Sequence, residues 1–105
     1  MGTGASPMEL LLQSLAGCTA MDVVSILQKK RQALTSFQVR VEGERADEHP
    51  KVYTKIHLKY NVNGREISEK AVTDAIELSR TKYCSVSAML AETAEITYEV
   101  SIHKV

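Results

Sequence analysis

The sequence predicts one α+β domain built in two layers. Two observations carry this prediction: a long stretch of helical apolar periodicity opens the chain, and three segments with strand-type alternation follow it, separated by shorter helical patterns. The predicted element order is α-β-β-α-α-β within a single domain, residues 1–105. We expect an antiparallel sheet packed against a long central helix and a second helical segment.

The first helix is predicted to run from Pro7 to about Leu34. Ser6 is a favoured N-cap residue, Pro7 suits the first helical position, and Glu9 completes a capping box. The apolar residues that follow recur at steps of three and four around much of the helix, so this helix should be buried on more than one side. A small sheet cannot cover such a helix alone, and we therefore expect a homodimer.

The rest of the chain alternates between strand and helix patterns. Apolar and polar residues alternate, as in half-buried strands, over 37–42, 52–62 and 96–102. The pair Asn63-Gly64 is typical of a tight turn and should close the second strand. Helices capped by serine are predicted over 68–80 and 85–90.

The composition bounds the function. Thirteen basic residues balance thirteen acidic ones, so the net charge gives no reason to expect nucleic acid or an anionic membrane as a partner. The apolar stretches Leu10–Leu12 and Leu15–Cys18 are interrupted before the length that crosses a bilayer, and we expect no membrane span and a cytoplasmic protein. Residues 1–5 are expected to be flexible.

Cys18 and Cys84 are the only cysteines, and 65 residues separate them. In a reducing compartment such a pair is catalytic, redox-sensing or simply buried rather than a structural disulfide. Neither cysteine has a second cysteine or a histidine within four residues, so the spacing predicts no metal site, and no cofactor is expected. Cys18 lies inside the first helix, where a thiolate needs a nearby cation, and Gly17 indicates close packing beside it.

Two motifs in this sequence resemble those of the OsmC/Ohr family (osmotically inducible protein C and organic hydroperoxide resistance protein), thiol-dependent reductases of organic hydroperoxides. The first is Ser6-Pro7-Met8-Glu9 followed by Leu15-Ala16-Gly17-Cys18, in which the proline precedes the cysteine by eleven positions. The second is Lys82-Tyr83-Cys84-Ser85 at the start of a predicted helix. The resemblance covers nearly the whole chain and agrees with the predicted element order.

The resemblance implies a site and a reaction. Cys18 would be the peroxidatic residue, which a small organic hydroperoxide oxidises to a sulfenic acid, and Cys84 would resolve it to a disulfide that an external dithiol reduces. An apolar pocket would hold the substrate. Its predicted lining residues are Met8, Leu11, Leu12, Leu15 and Met89.

Departures from the family pattern keep a second interpretation open. The family places an activating arginine on strands before the central helix and a glutamate after the proline, whereas this sequence lacks those strands and has Met8 at the second position. Activation would then come from Arg80, Lys82 or the other subunit. The alternatives are a non-catalytic OsmC-like binding or stress-response module with an apolar pocket at the dimer interface, or a redox sensor. Asp22 either orients a cation near the Cys18 thiol or pairs with a lysine.

Overall fold

The computed structural model describes residues 6–105, so the predicted flexibility of residues 1–5 lies outside it. The elements follow the predicted order α-β-β-α-α-β. Their bounds are α1 Pro7–Lys29, β1 Ala33–Arg45, β2 Tyr53–Arg65, α2 Glu69–Leu78, α3 Ser85–Leu90 and β3 Glu95–Lys104. A single π-helical turn, Ser79–Tyr83, joins α2 to α3.

Helix α1 begins where the sequence predicts and ends earlier. The Ser6 hydroxyl accepts from the Glu9 N–H at 3.3 Å, and the Glu9 carboxylate accepts from the Ser6 N–H at 3.2 Å, which is the predicted capping box. The predicted end near Leu34 is wrong. The helix ends at Lys29 because the chain turns through Arg31, whose φ of 58° is left-handed, and Leu34 already belongs to β1.

Strands β1 and β2 form an antiparallel hairpin in which Val39 lies opposite Tyr60. The turn predicted at Asn63-Gly64 is wrong, because β2 continues through both residues and Gly64 pairs with Leu34. A Cβ atom at Gly64 would clash with the carbonyl oxygen of Ala33 and with the Ile67 side chain. The glycine therefore serves a close approach of backbone rather than a turn.

The sheet is mixed, which corrects the expected antiparallel sheet. Its order is β1-β2-β3, and β3 runs parallel to β2, with Lys55 opposite Glu95 and Gly64 opposite Lys104. After β2 the chain returns through α2 and α3 to the end of the sheet where β2 started, and such a helical crossover produces a parallel pair. Alternation of apolar residues identifies which face of a strand is buried but not the direction of the strand.

The core lies between the helices and one face of the sheet. Its members on β2 are Tyr53 and the alternate residues Ile56, Leu58, Tyr60 and Val62. Helix α1 contributes a stripe at four-residue steps: Leu15, Thr19, Val23 and Leu27, of which three are apolar. The polar member, Thr19, is hydrogen-bonded to Ser79, which in turn donates to Asp22.

The opposite side of α1 is exposed within one chain. Leu10 is 51% exposed and Met21 is 76% exposed. The close packing predicted at Gly17 is wrong within this chain, because outside its own stretch of helix no described atom would come within 4 Å of a Cβ there. Leu10, Gly17 and Met21 lie on one side of the helix, which we call the outward α1 face.

By length and composition α1 could also cross a membrane, contrary to the expectation from its interrupted apolar stretches. It has 23 residues, an 18-residue window has a mean hydropathy of 1.7, and 28% of that window is buried. The polar residues are too sparse to lower the mean over the whole window. Core helices of soluble proteins satisfy the same criteria, and the buried stripe of α1 packs against the sheet.

Candidate functional site

The structure brings the two cysteines together. Cys18 lies in the middle of α1 and is partly buried, whereas Cys84 is 3% exposed, and both are free thiols. The two sulfur atoms and a carboxylate oxygen of Asp22 all lie within 4.8 Å of one another. Asp22 follows Cys18 by four residues on the same side of α1.

The π-helical turn positions Cys84. The N–H of Cys84 donates to the carbonyl of Ser79 at 2.8 Å, which closes the turn. Cys84 then acts as the N-cap of α3, since its sulfur accepts from the N–H of Ser87 at 3.4 Å. Single π-helical turns are frequent at functional sites because they redirect a side chain without ending the helical path. Here the turn directs Cys84 towards α1.

Burial raises the pKa of the Cys84 thiol to about 11. The neighbouring Cys18 thiol and the negative charge of Asp22 act in the same direction, and the N–H of Ser87 opposes them. A thiol with this pKa is protonated at neutral pH, and the thiolate is the nucleophilic form. In the reduced protein Cys84 is therefore a poor nucleophile.

A chain of three hydroxyl groups ends at the Asp22 carboxylate. Thr19 Oγ1 lies 2.8 Å from the Tyr60 hydroxyl and 2.9 Å from Ser79 Oγ, and Ser79 Oγ donates to Asp22 Oδ2 at 3.0 Å. Each hydroxyl has one proton to donate. Because Ser79 donates to Asp22, Thr19 must donate to Ser79 and Tyr60 to Thr19. All three protons thus point towards the carboxylate, and burial raises the pKa of Tyr60.

Neither sequence interpretation of Asp22 describes what the structure shows. Among the residues that the structure describes, Asp22 takes part in no ion pair, and its carboxylate is instead held by Ser79. The roles of Thr19, Ser79 and Tyr60 were missed. The available signal was a threonine at a position of the α1 stripe where the helical period requires a buried residue.

The two cations considered for activation make other contacts. Arg80 donates to Glu77 at 3.2 Å and to the carbonyl of Ile96 at 2.9 Å, and its guanidinium lies 5.1 Å from the centre of the Tyr98 ring. Lys82 lies 5.4 Å from the centre of the Tyr83 ring. Both side chains are thus engaged by partners other than Cys18.

The predicted substrate residues differ in exposure within one chain. Leu15 is fully buried in the core, and Met8 and Leu12 pack against the core from partly buried positions. Leu11 is 40% exposed and Met89 is 68% exposed. The five side chains therefore do not form an enclosed pocket in an isolated chain.

A cleft that sequence reasoning missed adjoins the cysteines through Asp22. Its volume is about 390 Å³, and it lies between the second half of α1 and the α2–α3 connection. Its lining residues are Asp22, Ser25, Ile26, Lys29, Lys30, Leu78 and Tyr83. Asp22 lines this cleft, whereas Cys18 and Cys84 do not.

The chain is similar in sequence and fold to proteins of one family. The family model described as "OsmC-like protein" matches residues 1–99. Protein YhfA of Escherichia coli is 44% identical over 97 residues, which are 92% of this chain and 72% of YhfA.

Two solved structures extend the comparison. A hypothetical protein from Aquifex aeolicus is 40% identical with a TM-score of 0.85, covering 97% of this chain and 78% of that one. An organic hydroperoxide resistance protein OsmC from Legionella pneumophila is 14% identical with a TM-score of 0.76, covering 95% of this chain and 72% of that one. At this low identity the comparison shows only that the two folds are alike. By its family match and its close sequence relative, this chain belongs to the OsmC-like family.

Proposed function

We propose that the protein is a thiol-dependent peroxidase that reduces small organic hydroperoxides with Cys18 and Cys84. The observation that carries the proposal is the pair of free sulfurs within 4.8 Å of each other in one chain. Two thiols at this separation need only a small movement to form a disulfide, whose sulfurs are about 2.05 Å apart. The substrate class in this proposal is the one that the motif resemblance implies, and the name of the Legionella pneumophila neighbour, which includes organic hydroperoxide resistance, is consistent with it.

The proposed reaction has three steps: oxidation of Cys18, formation of the disulfide and its reduction. The Cys18 thiolate attacks the terminal oxygen of the hydroperoxide, the O–O bond breaks, and the leaving alkoxide takes a proton to become the alcohol. Cys18 is then a sulfenic acid. The Cys84 sulfur attacks the Cys18 sulfur, a disulfide forms, and the hydroxyl of the sulfenic acid leaves as water with the proton of Cys84. An external dithiol reduces the disulfide and is itself oxidised.

The environments of the thiols support this division of roles. Cys18 is the more accessible of the two, so a hydroperoxide reaches it first. The raised pKa of Cys84 keeps that thiol protonated and unreactive towards peroxide until the sulfenic acid has formed beside it. Asp22 lies close enough to take the proton from Cys84 and pass it to the leaving hydroxyl, which departs as water. We assign Cys18 as peroxidatic and Cys84 as resolving.

The proposal includes a homodimer formed through the outward α1 face. Leu10, Gly17 and Met21 present an apolar surface with a glycine at its centre, which permits close approach of a second helix. In this proposal the substrate pocket lies at the dimer interface. Since Arg80 and Lys82 are engaged elsewhere, the cation that activates Cys18 would come from the partner subunit. Such a protein would act in the reducing cytoplasm.

A second candidate function is the non-catalytic OsmC-like module. The contacts of Arg80 with Glu77, Ile96 and Tyr98 favour it, because a guanidinium held in this way does not activate the thiol. In this case the apolar pocket at the dimer interface would bind a ligand without oxidation. The two functions differ in whether peroxide is consumed.

Stopped-flow measurement of peroxide consumption distinguishes them. The reduced protein is mixed with cumene hydroperoxide or hydrogen peroxide, with dihydrolipoamide as reductant. We expect turnover that is faster with cumene hydroperoxide, none in Cys18→Ser, and a single oxidation followed by a stall in Cys84→Ser. Each cysteine variant is the matched control for the other. Equal background rates in all three folded proteins would exclude the peroxidase and leave the binding module.

The dimer is tested with Met21→Lys and the control Thr73→Lys. Both positions are exposed on helices, but Thr73 lies on α2, away from the outward α1 face. Light scattering should give a dimer for the wild type and Thr73→Lys and a monomer for Met21→Lys. A monomeric wild type would contradict the proposed assembly.

A further inference from the structure

The cysteine pair and Asp22 form a cluster whose chemistry extends beyond peroxide. Cys18, Asp22 and Cys84 offer two sulfur atoms and one carboxylate oxygen, all within 4.8 Å of one another. In a tetrahedral zinc site the metal–sulfur bond is about 2.3 Å, so two sulfurs on one ion are about 3.8 Å apart. The cluster therefore needs only a small closure to hold a metal ion.

We propose that the reduced protein binds one thiophilic divalent cation, such as Zn²⁺ or Cd²⁺, between the Cys18 and Cys84 sulfurs and the Asp22 carboxylate. Two sulfurs and one carboxylate are ligands suited to Zn²⁺ and Cd²⁺ and poorly suited to Mg²⁺ or Ca²⁺. Three protein ligands leave a fourth position for water, as in open zinc sites. This proposal does not depend on reactivity towards peroxide.

The surroundings of the three ligands support the site independently of their proximity. Ser79, which is fully buried, donates to Asp22 Oδ2 at 3.0 Å and is itself held by Thr19. The Ser87 N–H donates to the Cys84 sulfur at 3.4 Å. Metal ligands are usually oriented by hydrogen bonds of this kind, and their loss typically weakens metal binding by about 10- to 100-fold.

Spacing along the chain did not indicate this site because the fold brings its ligands together. Cys18 and Asp22 are one helical turn apart on α1, and the π-helical turn brings Cys84 to them from the other end of the chain. Local spacing rules for metal sites detect ligands that share a loop or a turn. The bound cation and the disulfide would exclude each other, because the metal needs both sulfurs as thiolates.

Titration of the reduced full chain with Zn²⁺ and with Cd²⁺, in a calorimeter and by the ultraviolet thiolate-to-cadmium absorption, tests the proposal without any peroxide. We expect one ion per chain, loss of affinity by about 100-fold or more in Cys18→Ser and Cys84→Ser, and weakening by about 10-fold or more in Asp22→Asn and Ser79→Ala. Asp74→Asn is the matched control, since Asp74 pairs with Lys70 on α2. Its affinity should equal that of the wild type.

Prior oxidation of the protein to the disulfide should abolish binding. The proposal is overturned if affinity is unchanged in either cysteine variant, if Asp74→Asn weakens binding as much as Asp22→Asn, or if one ion binds per two chains. Peroxidase activity without metal binding would defeat this inference alone. Metal binding without peroxidase activity would defeat only the proposed function.

Discussion

Cys18 and Cys84 share one site but lie in different surroundings. Cys18 is in the middle of a 23-residue helix and is partly exposed, whereas Cys84 starts a six-residue helix, is 3% exposed and has its pKa raised to about 11. The difference shows that position in the fold, and not residue type, separates an accessible thiol from a buried, protonated one. If Cys84 were instead the more accessible and more easily ionised thiol, there would be no basis for assigning Cys18 as peroxidatic and Cys84 as resolving.

The largest expected effect is on the alkylation of Cys84. At pH 8 a thiol with a pKa of about 11 is ionised to roughly one part in a thousand, whereas an ordinary cysteine near about 8.5 is ionised to roughly a quarter. Cys18→Ser removes the contribution of Cys18 to this pKa but keeps burial, its largest cause, so iodoacetamide should modify Cys84 at least about 10-fold more slowly in the folded variant than in guanidinium chloride. Mass spectrometry at timed intervals gives both rates. Similar rates would show that Cys84 is accessible and ionised.

Stability should fall at high pH because of Cys84. Below the unfolded-state pKa of about 8.5 both states hold the proton, and between that pH and about 11 only the folded state holds it. The free energy of unfolding should thus decrease as pH rises through this range, by about 3 kcal/mol for this group. Urea unfolding from pH 8 to 11 measures the decrease. Cys84→Ser is the control, since it lacks the thiol but keeps the tyrosines.

The next largest expected effect comes from breaking the chain of hydroxyl groups that ends at Asp22. Thr19→Val removes the link between Tyr60 and Ser79 and leaves both buried groups short of a hydrogen bond, at a cost of about 1–3 kcal/mol. Thr73→Val makes the same change at an exposed position of α2 and should stay within about 0.5 kcal/mol of the wild type. Denaturant unfolding compares the two. Equal losses would mean that the chain contributes little.

The smallest expected effect comes from removing the negative charge of Asp22, which lies beside both Cys18 and Cys84. The negative charge of Asp22 is among the weaker causes that raise the pKa of Cys84. Asp22→Asn should therefore move the pH midpoint of Cys84 alkylation to a lower value, in the Cys18→Ser background. Asp74→Asn should leave the midpoint unchanged, because Asp74 pairs with Lys70 on α2. A midpoint that rises in Asp22→Asn would contradict this electrostatic role.

Local chemistry in the sequence determined the beginnings of α1 and α2, the element order and the buried faces of the strands. The predicted serine cap of α3 is wrong, because Cys84 is its N-cap and Ser85 is its first helical residue. Ser6 and Glu9 form the predicted capping box, and the alternating residues of β2 are buried as predicted. These features depend on residues within a few positions of each other, which is why they can be read from the chain. The family resemblance rested on two motifs around Cys18 and Cys84, and the family match agrees with it.

Tertiary structure alone decided the direction of β3, the close approach at Gly64 and the neighbours of the thiols. The crossover through α2 and α3 makes β3 parallel to β2, and the π-helical turn brings Cys84 to Asp22. Each of these depends on contacts between residues far apart in the chain, which no local pattern encodes. For the same reason the high pKa of Cys84 could not be predicted, since burial and neighbouring charges set it and both exist only in the folded chain.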